Sequence, residues 1–91
     1  SIEVPNLITP NNDGFNDVWN LQSISGIENA SISIFNRWGW EVYKSSDYQH
    51  NWDGTINGEP LTDGTYVYVI DFNDGRDPLR GTLEIFRNTQ R

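Results

Sequence analysis

Thr9, Asn11 and Asp13 are spaced two apart, Gly14 follows, and Asp17 closes the run. Alternating oxygen-bearing side chains with a glycine at the sharp turn echo the ligand ladder of a calcium loop, with Asp17 at the ninth position. Two features weaken the echo. The first position holds Thr instead of Asp, and Asn20 stands where a bidentate glutamate would close the site. Calcium wants more formal charge than this spacing supplies. The competing reading is a loop held by Asx-turns with Gly14 in a left-handed conformation. The expectation is therefore no required cofactor, and weak Ca²⁺ binding at most.

Four other carboxylates, Asp53, Asp63, Asp71 and Asp74, invite comparison with an acid–base pair, since glycosidases set two carboxyls across a scissile bond. Asp53, Asp63 and Asp74 each directly precede glycine, however, which is a turn signature, and Asp71 abuts a turn at the end of an apolar run. No catalytic residue is assigned. His50 is the sole histidine and has no serine elbow or cysteine beside it, so it reads as an exposed loop residue.

The aromatic residues Trp38, Trp40, Tyr43, Tyr48 and Trp52 offer a different chemistry. On a β-sheet they would either stack on sugar faces or pack as core and hairpin, each burying a large area, and packing is the preferred reading. Trp52-Asp53-Gly54 reads as a tucked indole followed by a turn, so Trp52 is expected to be buried, and Tyr66 with it. Arg37, between Asn36 and Trp38, has two readings. Its guanidinium would brace the hairpin by pairing with Asp53 or stacking on an indole, or the exposed tip is itself a recognition surface. The brace is preferred.

The elements that must position these residues are short strands. Ser31-Ile32-Ser33-Ile34-Phe35 alternates polar with apolar, and Trp40, Val42 and Tyr43 resume a strand beyond Gly39, whose positive φ suits a tight reversal. The spacing predicts a hairpin over 32–36 and 40–44. Ile2-Glu3-Val4 reads as a strand halted by Pro5, and residues 17–24 read as another, ended by Ser25-Gly26. Lys44 to Asp63 is long for a loop without structure, which implies packing through its own Tyr48, Trp52 and Ile56. Thr65 to Phe72 is apolar on both faces, as a central strand of a two-layer core would be. In residues 79–86, Leu83 and Ile85 share one face. The tail Arg87–Arg91 reads as polar and frayed. Six or seven short strands separated by turn signals predict an all-β sandwich.

Composition narrows the functions. The chain has 91 residues, expected to form one domain spanning 1–91. Thirteen acidic against six basic residues give a net charge of −7, which argues against nucleic-acid backbones and anionic lipid. Zero cysteines exclude disulfides and thiolate metal sites. No apolar run approaches the roughly 20 residues of a transmembrane helix. Ser1 leads straight into strand-like residues without a signal peptide, so the chain is expected to be a module of something longer.

Four stretches carry a family resemblance: residues 8–17 (ITPNNDGFND), 34–54 (IFNRWGWEVYKSSDYQHNWDG), 61–66 (LTDGTY) and 80–85 (RGTLEI). In this order they closely resemble the gliding-motility-associated C-terminal domain, the type B sorting domain of the type IX secretion system of Bacteroidetes. Within that resemblance, Asn36, Arg37, Trp38, Gly39, Trp52, Asp53 and Gly54 are family-defining motif positions. The chain departs from the commoner pattern at Asn12, where glycine is usual and whose backbone angles Asn must adopt, and at Trp40, where a polar residue is usual. The resemblance implies an immunoglobulin-like antiparallel sandwich without catalytic activity. It further implies a place at the C-terminal end of a larger protein, whose upstream passenger domains it addresses to the type IX machinery and an outer-membrane partner protein. The passenger would travel through the periplasm and across the outer membrane to the cell surface or medium. A carbohydrate-binding or adhesin-type sandwich is the alternative.

Overall fold

A computed structural model describes residues 2–87, and the remainder of the tail lies outside them. Seven strands form two sheets: β1 (Leu7–Ile8), β2 (Ser31–Phe35), β3 (Glu41–Ser45), β4 (Thr55–Ile56), β5 (Glu59–Pro60), β6 (Gly64–Asp71) and β7 (Leu79–Ile85). The main sheet runs β1-β7-β6-β2-β3, and β4 pairs with β5 alone. The class is all-β, as expected, with one departure from an antiparallel arrangement. Edge strand β1 lies parallel to β7, where the Asn6 and Ile8 carbonyls accept the N–H groups of Glu84 and Phe86.

Strict alternation decides which face is buried. Ile32 and Ile34 of β2 face inward beside Ile70 and Tyr68 of β6, and Leu83 of β7 lies opposite Tyr66. The opposite face carries Ser33, Thr65, Val67, Arg80, Thr82 and Glu84, none of which is buried. Strand β6 is therefore not covered on both sides. Its run of Val67 and Val69 reflects β-propensity more than burial, with Val67 40% exposed, and one face of this sheet meets solvent.

The second layer is built largely from loops. Residues 17–24 are not a strand: Trp19 forms a single bridge to Trp52, and the chain then winds in turns. Leu21, Ile24, Ile27 and Ala30 are all buried. The N–H of each of the last three bonds the carbonyl three residues back, the tight 3₁₀ pattern. Gly26, at φ 87°, precedes the short helix Ile27–Asn29. Ile2-Glu3-Val4 likewise forms no strand, and the Pro5 carbonyl instead accepts the Trp19 indole N–H at 2.8 Å.

Loop aromatics join the two layers. The Trp19 ring lies 5.3 Å from Tyr68 on β6, and Trp52 lies 5.3 Å from Tyr43 on β3. Between them the buried Tyr48 hydroxyl donates to the Trp19 carbonyl at 2.6 Å and accepts the Trp52 N–H at 3.0 Å. Burial pushes that phenol's pKa far up, so it remains a neutral donor. The segment 44–63 is packed by Tyr48 and Trp52 as expected, but not by Ile56, which is 40% exposed on the β4–β5 hairpin.

Candidate recognition surface

The hairpin of β2 and β3 projects its turn beyond the sheet. Gly39 holds φ 84°, a region where side chains on Cβ are disfavoured. Its N–H bonds the Asn36 carbonyl, and the Asn36 N–H bonds the Trp40 carbonyl, both at 2.9 Å. The Asn36 side-chain oxygen accepts the N–H groups of Trp38 at 2.9 Å and Trp40 at 3.0 Å. Four bonds thus centre on Asn36 and fix the tip, which explains an amide at the mouth of the turn.

That rigid turn presents its aromatic side chains outward. Trp38 and Trp40 are 68% and 71% exposed, with ring centroids 6.5 Å apart and planes tilted by 46°. Arg37 stacks on the Trp38 ring, its guanidinium carbon 4.7 Å from the centroid. Of the two braces considered for Arg37, the stack forms and the Asp53 pair does not. Asp53 instead accepts the Thr55 hydroxyl at 2.8 Å. The five aromatics of the sequence pattern therefore split, with Tyr48 and Trp52 buried, Tyr43 packed against them, and Trp38 and Trp40 displayed.

Beside the tip, Asn36, Arg37 and Trp38 share a cleft of about 180 Å³ with residues 61–66. Two of the four motif stretches, distant in sequence, thus line one surface. Tyr66 forms part of its wall and is buried as expected, its hydroxyl donating to the Thr62 carbonyl at 2.7 Å. Burial raises the pKa of this phenol, opposed in part by the nearby Arg87 charge.

The long loop is held by Arg87, from the end of β7, and the Arg37 stack stays within the hairpin tip. The sequence pattern puts Arg87 in a frayed tail, yet its side chain is only 14% exposed. Its guanidinium bonds the Leu61 and Gly54 carbonyls and meets the Asp63 carboxylate at 3.2 Å. A Cβ on Gly54 (φ 82°) would sit 3.1 Å from that guanidinium, so the WDG motif reads as a dock for Arg87. The signal available in sequence was an arginine directly after the last apolar strand, but no spacing ties it to Gly54.

The Thr9–Asp17 loop is closed on one carboxylate. Asp17 accepts the N–H groups of Gly14 at 2.8 Å, Asn12 at 3.0 Å and Asn11 at 3.3 Å. The Gly14 bond above all holds its carboxyl below the usual range, against partial desolvation. The Asn11 side chain accepts from the Asp13 N–H, Asp13 accepts from the Phe15 N–H, and the Thr9 hydroxyl donates to the Phe15 carbonyl. This is the Asx-turn network. Asn12 takes φ 64° there, the conformation expected where glycine is usual. No group of three or more His, Cys, Asp or Glu gathers at metal-binding spacing among the described residues.

His50 is not simply exposed. It is half-buried at φ 61°, and its Nδ1 accepts the Leu21 N–H at 3.2 Å. Asp71 and Asp74 accept backbone N–H groups two residues on, and Asp74 also pairs with Arg76 at 2.8 Å. Each of these carboxylates thus has a structural partner: a hydroxyl for Asp53, an arginine for Asp63 and Asp74, and a backbone N–H for Asp71. No helix among the described residues is long and apolar enough to cross a membrane.

Comparison with known proteins gives one family: the CHU_C type IX secretion signal domain matches residues 2–85. No curated protein matches the chain.

Proposed function

We propose that this chain, which belongs to the type IX secretion signal domain family, addresses a larger protein for export through a folded surface that the secretion machinery reads. A domain of this family is a sorting signal. The finer reading is that it performs no catalysis and acts on upstream passenger domains of the same chain. It would engage an outer-membrane partner protein, and its cargo would end at the cell surface or in the medium. The observation that carries this is the family match, which spans nearly all of the described residues. The engaged carboxylates support a role without turnover, since each already has a structural partner. What remains for function is shape and displayed side chains.

The test uses the native protein in a type IX-competent bacterium, with and without this domain. The intact form should reach the surface or medium, and the shortened form should accumulate in the periplasm. Equal export of both forms would end the sorting assignment.

The Thr9–Asp17 loop is proposed to bind divalent cations weakly and to need none, because its carboxylate is already met by backbone donors. Chelator should leave the melting temperature unchanged, and calcium should raise it only modestly by mass action. A domain that unfolds in chelator would make the ion structural.

A further inference from the structure

We infer that the Arg37–Trp38–Trp40 tip and its adjoining cleft form the docking surface of this domain, and that their occupant is a folded protein presenting an apolar socket. That socket would carry a carboxylate for Arg37 on its rim and lie within a basic surround. The inference rests on the sorting function proposed above and names where that function resides.

Shape is the first argument. Two large indoles stand mostly in solvent on a turn that four hydrogen bonds centred on Asn36 hold rigid. Rigid, exposed Trp and Arg are the side chains that dominate protein interfaces, because they bury much area for little lost freedom. The tip is convex and the cleft beside it is concave, with room for about one side chain. Together they make a knob next to a hole, a form that fits a protein surface.

Ring geometry argues against a sugar platform. A flat ring cannot lie on both indoles at once when their planes are tilted by 46°. The guanidinium of Arg37 already covers one face of Trp38.

Charge is the third argument. Arg76 and Arg87 are held in ion pairs with Asp74 and Asp63, whereas Arg37 lies against an indole. It is positioned to meet an external carboxylate while stacked and pre-organised. The chain as a whole is strongly acidic, with net charge −7. A partner that is basic around its socket would be drawn to this domain, and the tip's Arg37 would then set the contact.

The experiment measures export of the native full-length protein carrying single and paired substitutions, alongside the form lacking the domain. Resistance of the domain to trypsin in the full-length protein reports folding. Arg37→Ala with Trp38→Ala should cut export by about tenfold or more, the scale of a lost interface hot spot. Trypsin resistance should be retained, and Trp38→Phe should restore most export. Phe15→Ala, which removes an aromatic 74% exposed on another loop, should change nothing. Arg37→Glu provides a second variant, which reverses charge on an exposed side chain and should also block export. Normal export of the folded tip variants, with the domain-less form still retained, would overturn the docking surface and leave the sorting function standing. Equal export of the domain-less form would remove both. Loss of binding to insoluble polysaccharide with normal export would make the tip a sugar site and overturn the inference.

Discussion

Trp19 and Trp52 lie in the loop-built layer, 0% and 4% exposed, and each indole N–H bonds a backbone carbonyl. Trp38 and Trp40 stand at the hairpin tip, more than two-thirds exposed. The same residue type thus does two jobs. In the loop layer, where regular ladder bonds are few, the indoles supply both the buried area and the hydrogen bonds that strands would otherwise give. At the tip the backbone holds itself through Asn36, and the indoles contribute nothing evident to the core. The lesson is that an aromatic is structural where the backbone lacks pairing and free for recognition where the backbone is already satisfied.

The largest effect that would test this contrast is Trp52→Ala. Its ring packs on Tyr43, its carbonyl takes the Trp19 N–H, and its own N–H meets Tyr48. Truncation should cost about 3–5 kcal/mol, the range for a core aromatic. In a domain this small that is enough to abolish folding. Chemical denaturation giving less than about 1 kcal/mol would place the residue outside the core and dissolve the contrast.

A smaller effect is expected from Gly39→Val. Nothing lies within 4 Å of a Cβ built on Gly39, so the cost there is one of backbone and not of crowding. Forcing a β-branched residue to φ 84° should cost about 1–2 kcal/mol. The domain should survive with a displaced tip. Export should fail while most of the core's amide protection from hydrogen exchange persists. Loss of protection across the whole sheet would show that the turn is part of the folding core.

Legibility in the sequence followed the same division. The hairpin, the long β6 and the turn at Gly39 were readable because alternation and a positive-φ residue speak directly of local structure. In the loop layer, apolar residues suggest strand pairing that does not occur. From residue 21 onward the informative signal is the three-residue spacing of Leu21, Ile24 and Ile27, which belongs to successive tight turns and not to a strand. The first strand falls at Leu7–Ile8, beyond Pro5, because its parallel partner β7 fixes it at the sheet edge, and no local pattern announces that partner. At the hairpin tip, the turn over Asn36 to Gly39 is legible in sequence, but the cleft that Asn36, Arg37 and Trp38 share with residues 61–66 is not. A contact between segments so far apart has no signature in either one.

The smallest effect on stability is expected at the tip, where it divides the two classes of tryptophan most sharply. Trp38→Ala removes a side chain that touches Arg37 and Trp40 but belongs to no buried cluster. The turn bonds run through Asn36 and the main chain, so they outlast the indole. Stability should change by no more than about 0.5 kcal/mol, as for surface positions generally. Trp40→Ala should behave alike. The pair should add without coupling to Trp52→Ala, because they share no partner with it. Thermal or urea denaturation of the isolated domain decides the matter, with intrinsic fluorescence as a second readout. The tip variants should lose the solvent-exposed, readily quenched part of the emission and keep the shielded part from Trp19 and Trp52. A loss of 2 kcal/mol or more on Trp38→Ala would mean that the tip carries fold stability, and the division between holding and displaying would fail.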